Sequence, residues 1–385
     1  MKRSDEGWSG RRCPAVRASK DTSSGVVAAL FGVLLLTGCG DAPLPDPQLR
    51  LPVPSEPLVD PWLDVGGWEV ESRVLYGSPS GPLTFGSITD IAVRDDGMLA
   101  VADASNCSIM FVDRTEQRFL DRIGRCGSGP GEFRQVGAIA FRGDSLLVYD
   151  RGTHAVVTLD ARGEEVSRIQ TRLPEGAFVW KLHSVTARTA VVGLERVRTS
   201  WDSDGPLFLA AELDLREGSI EEGFVADVPK AREGSRNRLR RKPLCVARSE
   251  GNPSVVVMND WIFEGIHFVR GDGSGGFHFL SQAPLRPRLT RTGEWIPAVL
   301  AGVGCGGSGA LFKTTEASSS GSGTRETLME FRAYDGVVLL RQIITDPESL
   351  LHGRLGRMHG DTLFMISSQP GHPVVGEFVV RPSQR

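Results

Sequence analysis

Two stretches follow one another closely, GSITDIAVRDDGMLAVADASNCSIMFVDRTEQRFLDRIG from Gly86 to Gly124 and VGAIAFRGDSLLVYDRGTHAVVTLDARGEEVSRIQ from Val136 to Gln170. Superposed, they bring Ile91 onto Ile139, Asp103 onto Asp150 and Asp113 onto Asp160, at offsets of 48, 47 and 47 residues. A nearly constant offset over three landmarks is an internal repeat, and units of this length must stack or ring because one alone cannot bury its apolar faces. Each copy runs through four short alternating strands: an apolar run, a tight turn with Asp or Gly, a second run ending in Asp, a third strand, an Asp-containing turn and a fourth strand. The second strand can be followed onward as TAVVGLE from Thr189, SVVVMND from Ser254, GALFKTTE from Gly309 and DTLFMISS from Asp361, giving six units. Turn signals such as DDG, GD, SEGNP, GGSG and HGD precede them.

Between these strands no amphipathic helix of ten or more residues can be drawn. Four-stranded units without helices predict an all-β fold, a six-bladed β-propeller in which each blade buries its faces against its neighbours and the ring removes the long open edge. The sixth unit offers three strands, around Leu355, Phe364 and Phe378, before Arg385. A fourth lies far upstream. WEVESRVLY sets Trp68, Val70, Val74 and Tyr76 on one face and Glu69, Glu71 and Arg73 on the other, the alternation of a half-buried strand. It is expected to complete blade six and close the ring.

Between the two quoted repeats, Gly124-Arg125-Cys126-Gly127-Ser128-Gly129-Pro130-Gly131-Glu132-Phe133 resembles the G-R-x-G-x-G-P-G-E-F connector of NHL-type six-bladed propellers. VADASNCSIMFVD, with Asp103, Asn106, Ile109 and Asp113 in register, is similar to another segment of that family. The likeness is clear over about 90 residues of blades one and two and fades to pattern in blades three to six. It implies an exported bacterial propeller without naming a ligand.

The composition agrees with one large ordered domain behind a processed leader. Of 385 residues, 40% are hydrophobic and 24% charged, with a net charge of -3, which excludes both a disordered acidic chain and a polybasic nucleic-acid binder. Residues 1–38 carry six basic groups and then VVAALFGVLLL, too short to span a bilayer, since about 20 apolar residues are needed. The run ends in Leu36-Thr37-Gly38-Cys39, which resembles the lipobox of bacterial lipoprotein signal peptides and makes Cys39 the expected lipidation site. Residues 39–65 read as the lipidated cysteine and a linker, with seven Pro among residues 40–61 favouring an extended tether; residues 66–385 are the propeller. Without the leader, 38 basic residues face 44 acidic ones, a balance of -6. Expected contacts are therefore a protein or envelope polymer, with the membrane reached only through the lipid, no nucleic acid, and a monomeric chain.

Four cysteines remain in the propeller, Cys107, Cys126, Cys245 and Cys305, and all are disulfide candidates for an exported chain. The hairpin register places Cys107 opposite about Gly124, close to Cys126, which favours that pair. Cys245 and Cys305 fall near the first strands of adjacent blades and either pair or stay free. No CxxC or Cys/His zinc spacing occurs.

Catalytic signatures are missing. There is no GxSxG elbow, HExxH, Walker loop or EF-hand, no cofactor is called for, and no catalytic or metal-binding residue is assigned. Asp103 and Asp150 invite a carboxylate dyad, but their repeated position argues that each accepts backbone N–H groups in its own turn. His183 and His352 fall on the predicted innermost strands of blades three and six, as channel candidates. AREGSRNRLRRKP, in the longest inter-blade connection, gathers Arg232, Arg236, Arg238, Arg240, Arg241 and Lys242 as candidates for partner binding, against the simpler account of a solvated insertion. Three functions follow: a non-catalytic, membrane-anchored binding module first, a propeller enzyme of lyase or lactonase type with a channel metal second, a structural part of an envelope assembly third.

Overall fold

The computed structural model describes residues 49–50, 68–79, 83–174, 176–184, 186–196, 206–227, 244–249, 252–260, 265–271, 277–284, 288–289, 295–296, 300–305, 309–317, 325–333, 338–344, 353–367 and 372–382. Among these, every regular element is a strand. Residue contacts divide the chain at Asp46, and the sheets all belong to the unit from Pro47 to Arg385.

Six blades, each built on four antiparallel strands, follow one another, and Arg288–Leu289 pairs with Trp295–Ile296 as a separate two-stranded ribbon. Blade one is Ile88–Val93, Met98–Asp103, Ser108–Asp113 and Arg118–Ile123, and blade two is Val136–Arg142, Ser145–Asp150, Ala155–Leu159 and Glu165–Gln170. Blade three is Ala177–Ser184, Thr189–Arg196, Pro206–Asp214 and Ile220–Asp227, and blade four is Leu244–Ser249, Asn252–Asp260, Gly265–Gly271 and Phe277–Pro284. Blade five is Leu300–Cys305, Gly309–Ala317, Arg325–Ala333 and Val338–Ile344. Blade six takes Arg354–His359, Thr362–Ser367 and Val374–Pro382 from the end of the chain and Trp68–Tyr76 from its beginning. Each first strand neighbours the first strand of the next blade, and that of blade six neighbours that of blade one, so the ring is closed. The molecule is a six-bladed β-propeller.

Strand alternation builds the packing between blades. In blade one Ile91, Leu99 and Val101 pack toward Tyr76, Phe364 and Val375 of blade six, while Ala92, Ala100 and Ala102 pack with Ile139, Val148 and Val157 of blade two. Successive residues thus serve opposite neighbours, as a period of two requires. Similar cores join blades two and three and blades five and six.

The turns explain the repeated aspartates. Asp103 accepts the N–H groups of Gly86 and Ser87 at 2.8 and 2.9 Å and the Asn106 amide at 2.7 Å. Asp150 takes the N–H groups of Gln135 and Gly152 at 3.0 and 3.1 Å in the same way. Both are fully buried, and each ties the start of its blade's first strand to the end of the second. Asp113, Asp160 and Asp214 cap the hairpins between third and fourth strands, accepting for example Thr115 N–H at 2.9 Å, Arg162 N–H at 2.8 Å and Glu217 N–H at 2.9 Å.

The glycine-rich connector is equally mechanical. Phe133 is fully buried between blades one and two, and Gly124, at φ 86°, lies so close beneath it that an added Cβ would stand 2.7 Å from the ring. Glu132 folds back to accept Gly129 N–H at 2.9 Å and pairs with Arg125 at 2.8 Å, filling the space over Gly127 where a Cβ would be 2.0 Å from its carboxylate. The motif reads as a hook that seats one aromatic ring.

Two features depart from simple alternation and from a free tether. Trp68–Tyr76 carries a bulge between Ser72 and Val74, while Tyr76 is buried and Leu75 is exposed. Leu49–Arg50, inside the predicted linker, pairs in parallel with Ile220–Asp227 as a short fifth strand of blade three. The outer edge of a blade offers unpaired N–H and C=O groups, and extended backbone of any composition can take them up.

Candidate functional site

The innermost strands hold the charged groups that break the repeat. Asp90 in blade one and Lys181 in blade three each stand in a mainly apolar strand, and the ring brings them into an ion pair at its centre. Lys181 Nζ also donates to the Gly356 carbonyl of blade six at 2.8 Å, while Asp90 accepts Ile139 N–H of blade two at 3.1 Å. One ammonium–carboxylate pair therefore connects blades one, two, three and six. Arg354 adds to this, donating to the carbonyls of Ile88 and Thr89 at 3.1 and 2.9 Å, and Arg357 donates to the Leu182 carbonyl at 3.3 Å. Burial pushes the Lys181 ammonium down to about 8; Asp90 opposes that shift, and Arg357 and Arg354 reinforce it.

Beside this pair lies a cavity of about 60 Å³. Of the residues that line it, Lys181, Gly304 and Gly356 are buried, and His183 and Arg357 are half-buried. The Cys245–Cys305 disulfide, with Cα atoms 5.5 Å apart, forms one wall and joins the innermost strands of blades four and five. The second disulfide, Cys107–Cys126, with Cα atoms 4.9 Å apart, ties the turn before the third strand of blade one to the connector beyond its fourth strand. Disulfides of this kind form and persist in oxidising compartments.

A larger cleft of about 200 Å³ opens between the loop ends of blades one and two. Phe111, Phe141 and Leu146 supply apolar surface, and Arg94, Asp144 and Arg162 stand among the charged residues around it. Arg94 is fixed over the Phe141 ring at 5.5 Å and pairs with Asp96 at 2.6 Å.

Of the residues singled out in the sequence, His183 stands on the innermost strand of blade three and lines the central cavity. Asp103 and Asp150 serve separate turns and form no dyad. Cys39, His352 and the six cations from Arg232 to Lys242 lie outside the described residues. Sequence reasoning missed Lys181, Asp90 and Arg357. The signal was present as lone charges within ITDIAV and AFVWKLHS, but their pairing across 91 residues becomes visible only once the ring is drawn. Among the described residues, no three His, Cys, Asp or Glu side chains converge as a metal site. His183 instead shares its cavity with Lys181 and Arg357, neighbours that oppose a divalent cation.

Comparison with known proteins agrees on the architecture. Residues 82–175 match the model of the DUF5128 family, described as a 6-bladed beta-propeller. A member of the DUF4221 family from Bacteroides vulgatus is similar in structure, at a TM-score of 0.54 and 10% identity over 83% of this chain and 100% of that one. The PQQ-bound aldose sugar dehydrogenase from Streptomyces coelicolor gives a TM-score of 0.47 and 13% identity over 82% of this chain and 99% of that one. No curated protein matches the sequence. The first structural likeness speaks for the fold, and neither specifies a ligand for this chain.

Proposed function

We propose that this chain is a membrane-anchored, extracytoplasmic and non-catalytic binding module of NHL type, which presents one face of its propeller to a protein or envelope polymer. The observation that carries the reading is the cleft between blades one and two, with apolar surface amid charged groups, on a ring whose repeated carboxylates are already engaged in holding turns. The disulfides support export, and the Leu-Thr-Gly-Cys39 sequence supports acylation. The basic segment containing Arg238, Arg240 and Arg241 would add electrostatic contact to an acidic partner, weakened by salt as exposed charges are screened.

Capture from envelope extract tests the reading. Arg238→Ser/Arg240→Ser/Arg241→Ser and, separately, Leu120→Glu, at a half-buried residue that also lines the cleft, are expected to reduce capture while leaving the melting temperature unchanged. Capture equal to the parent by both variants at low salt would overturn it. Cys39→Ser should abolish labelling by a fatty-acid analogue, and labelling that persists would place the anchor elsewhere.

A further inference from the structure

The ring sorts charge in an unexpected way. Its six innermost strands carry one carboxylate, Asp90, against five fixed cations, Arg142, Lys181, Arg248, Arg354 and Arg357, in a chain whose net charge is -3. Arg142 reaches away to the Ala187 carbonyl at 3.0 Å. Lys181 and Arg357, by contrast, both line the central cavity, and His183 stands beside them. Among the described residues lining that cavity there is no carboxylate. Among the described residues Asp90 is the acid that faces the same ammonium, from blade one, and its second oxygen is held by Ile139 N–H.

Geometry narrows what this excess of cations suits. Lys181 carries three donors, of which Asp90 and the Gly356 carbonyl take two. Arg357 brings a planar fork suited to carboxylate or phosphate, and the His183 imidazole adds a third polar group to the lining. A volume of about 60 Å³ is room for roughly four waters, enough for a small oxyanion and too little for a sugar or nucleotide. The Cys245–Cys305 bond fixes one wall, so the cavity is formed before any ligand arrives.

We propose that this cavity is a binding site for a small oxyanion, a carboxylate or a phosphate, held by Lys181, His183 and Arg357 at the centre of the ring. It is separate from the loop-face contact and stands if that reading fails.

The test uses the full chain in detergent, titrated calorimetrically with phosphate, acetate and succinate at constant ionic strength set with chloride. Saturable one-to-one binding of at least one probe is expected, and the phosphate and carboxylate arms identify which oxyanion the cavity prefers. Arg357→Gln should weaken binding at least tenfold. Because Lys181→Met alone would strand Asp90, it is combined with Asp90→Asn, and that pair should abolish binding. His183→Gln, at a half-buried position, leaves the fixed charges in place and should weaken binding severalfold with an unchanged melting temperature. If none of the probes binds the folded parent beyond the chloride control, or if all three variants bind as the parent does, the proposal fails.

Discussion

Replacing Glu377 by Gln should loosen the ring at the seam where its two chain ends meet. Tyr76 OH donates to Glu377 Oε2 at 2.8 Å, and Arg114 donates to Oε1 from Nη2 at 2.7 Å and to Oε2 from Nε at 3.2 Å. The three groups come from the first strand of the described ring, the last strand of the chain and the turn after the third strand of blade one. Together they clasp blade six and bind it to blade one. An exposed ion pair would contribute under about 1 kcal/mol. Here the Glu377 side chain is 5% exposed and that of Arg114 16%, so the buried case applies, in which losing one partner costs about 3–5 kcal/mol. Arg114 retains some solvent and its place over the Phe364 ring at 4.9 Å, which brings the expected loss for Glu377→Gln down to about 2–3 kcal/mol. Tyr76→Phe removes one bond to a charged acceptor, about 1.5–3 kcal/mol. Since both changes break the same contact, the double variant should fall short of additivity by about 1 kcal/mol or more. Urea unfolding at pH 7, followed by circular dichroism and by tryptophan fluorescence with coincident transitions, measures all three. Tyr76 adds a pH signature. Burial first, and then the Glu377 carboxylate, raise its phenol pKa above the ordinary value of 10.0. The fold thus favours the neutral phenol, its contribution is complete below pH 10, and it is lost as the pH rises further. Tyr76→Phe should lack that alkaline loss. Single variants within 0.5 kcal/mol of the parent and strictly additive would refute the clasp.

The disulfides should differ in value with the loops they close. Separations of 60 and 19 residues correspond to about 4 and 3 kcal/mol, so Cys245→Ser/Cys305→Ser should destabilise more than Cys107→Ser/Cys126→Ser in non-reducing urea titrations, and the reverse order would contradict the entropic account. Lys181 predicts an opposite slope to Tyr76. With its pKa lowered to about 8, chiefly by burial, the folded state releases a proton that the unfolded chain keeps up to about 10.5, so stability from this group rises with pH between those values. Lys181→Met/Asp90→Asn should flatten that rise, and an unchanged slope would place the titration elsewhere.

Much of this architecture could be read along the chain because its determinants are local. Asp103 and Asp150 bond to turns within 17 residues of themselves, and the connector from Gly124 to Phe133 folds on its own Glu132. Such signals recur with the repeat and survive without knowledge of the partner blades. The place of Trp68–Tyr76 was legible for another reason: blade six lacked a strand, and one alternating segment stood unclaimed upstream. Its bulge was not, because alternation alone has no mark for an extra residue at Ser72 to Val74. Nor was the docking of Leu49–Arg50, where backbone groups make the contact and side-chain composition says nothing. The clasp of Tyr76 with Glu377 spans 301 positions, and each residue alone reads as an ordinary strand member.

The central site was hidden by the same repetition that revealed the fold. Superposing the first two units sets Asp90 against Ala138, so the carboxylate has no counterpart one blade on and falls out of the motif. Lys181, His183, Cys245, Cys305 and Arg357 likewise stand outside the repeated landmarks, yet the ring gathers all five around one small cavity. Rules of pattern and burial are most often broken where a site demands it. A propeller needs apolar or small residues along its innermost strands to close, and a buried lysine with a lowered pKa opposes that need unless something returns the cost. Asp90 and the Gly356 carbonyl return part of it by fixing four blades to one ammonium. Arg357 and His183 line the same cavity beside that pair, and the Cys245–Cys305 bond forms another part of its wall. An anion held among these groups is the charge that the described lining of the cavity does not itself supply.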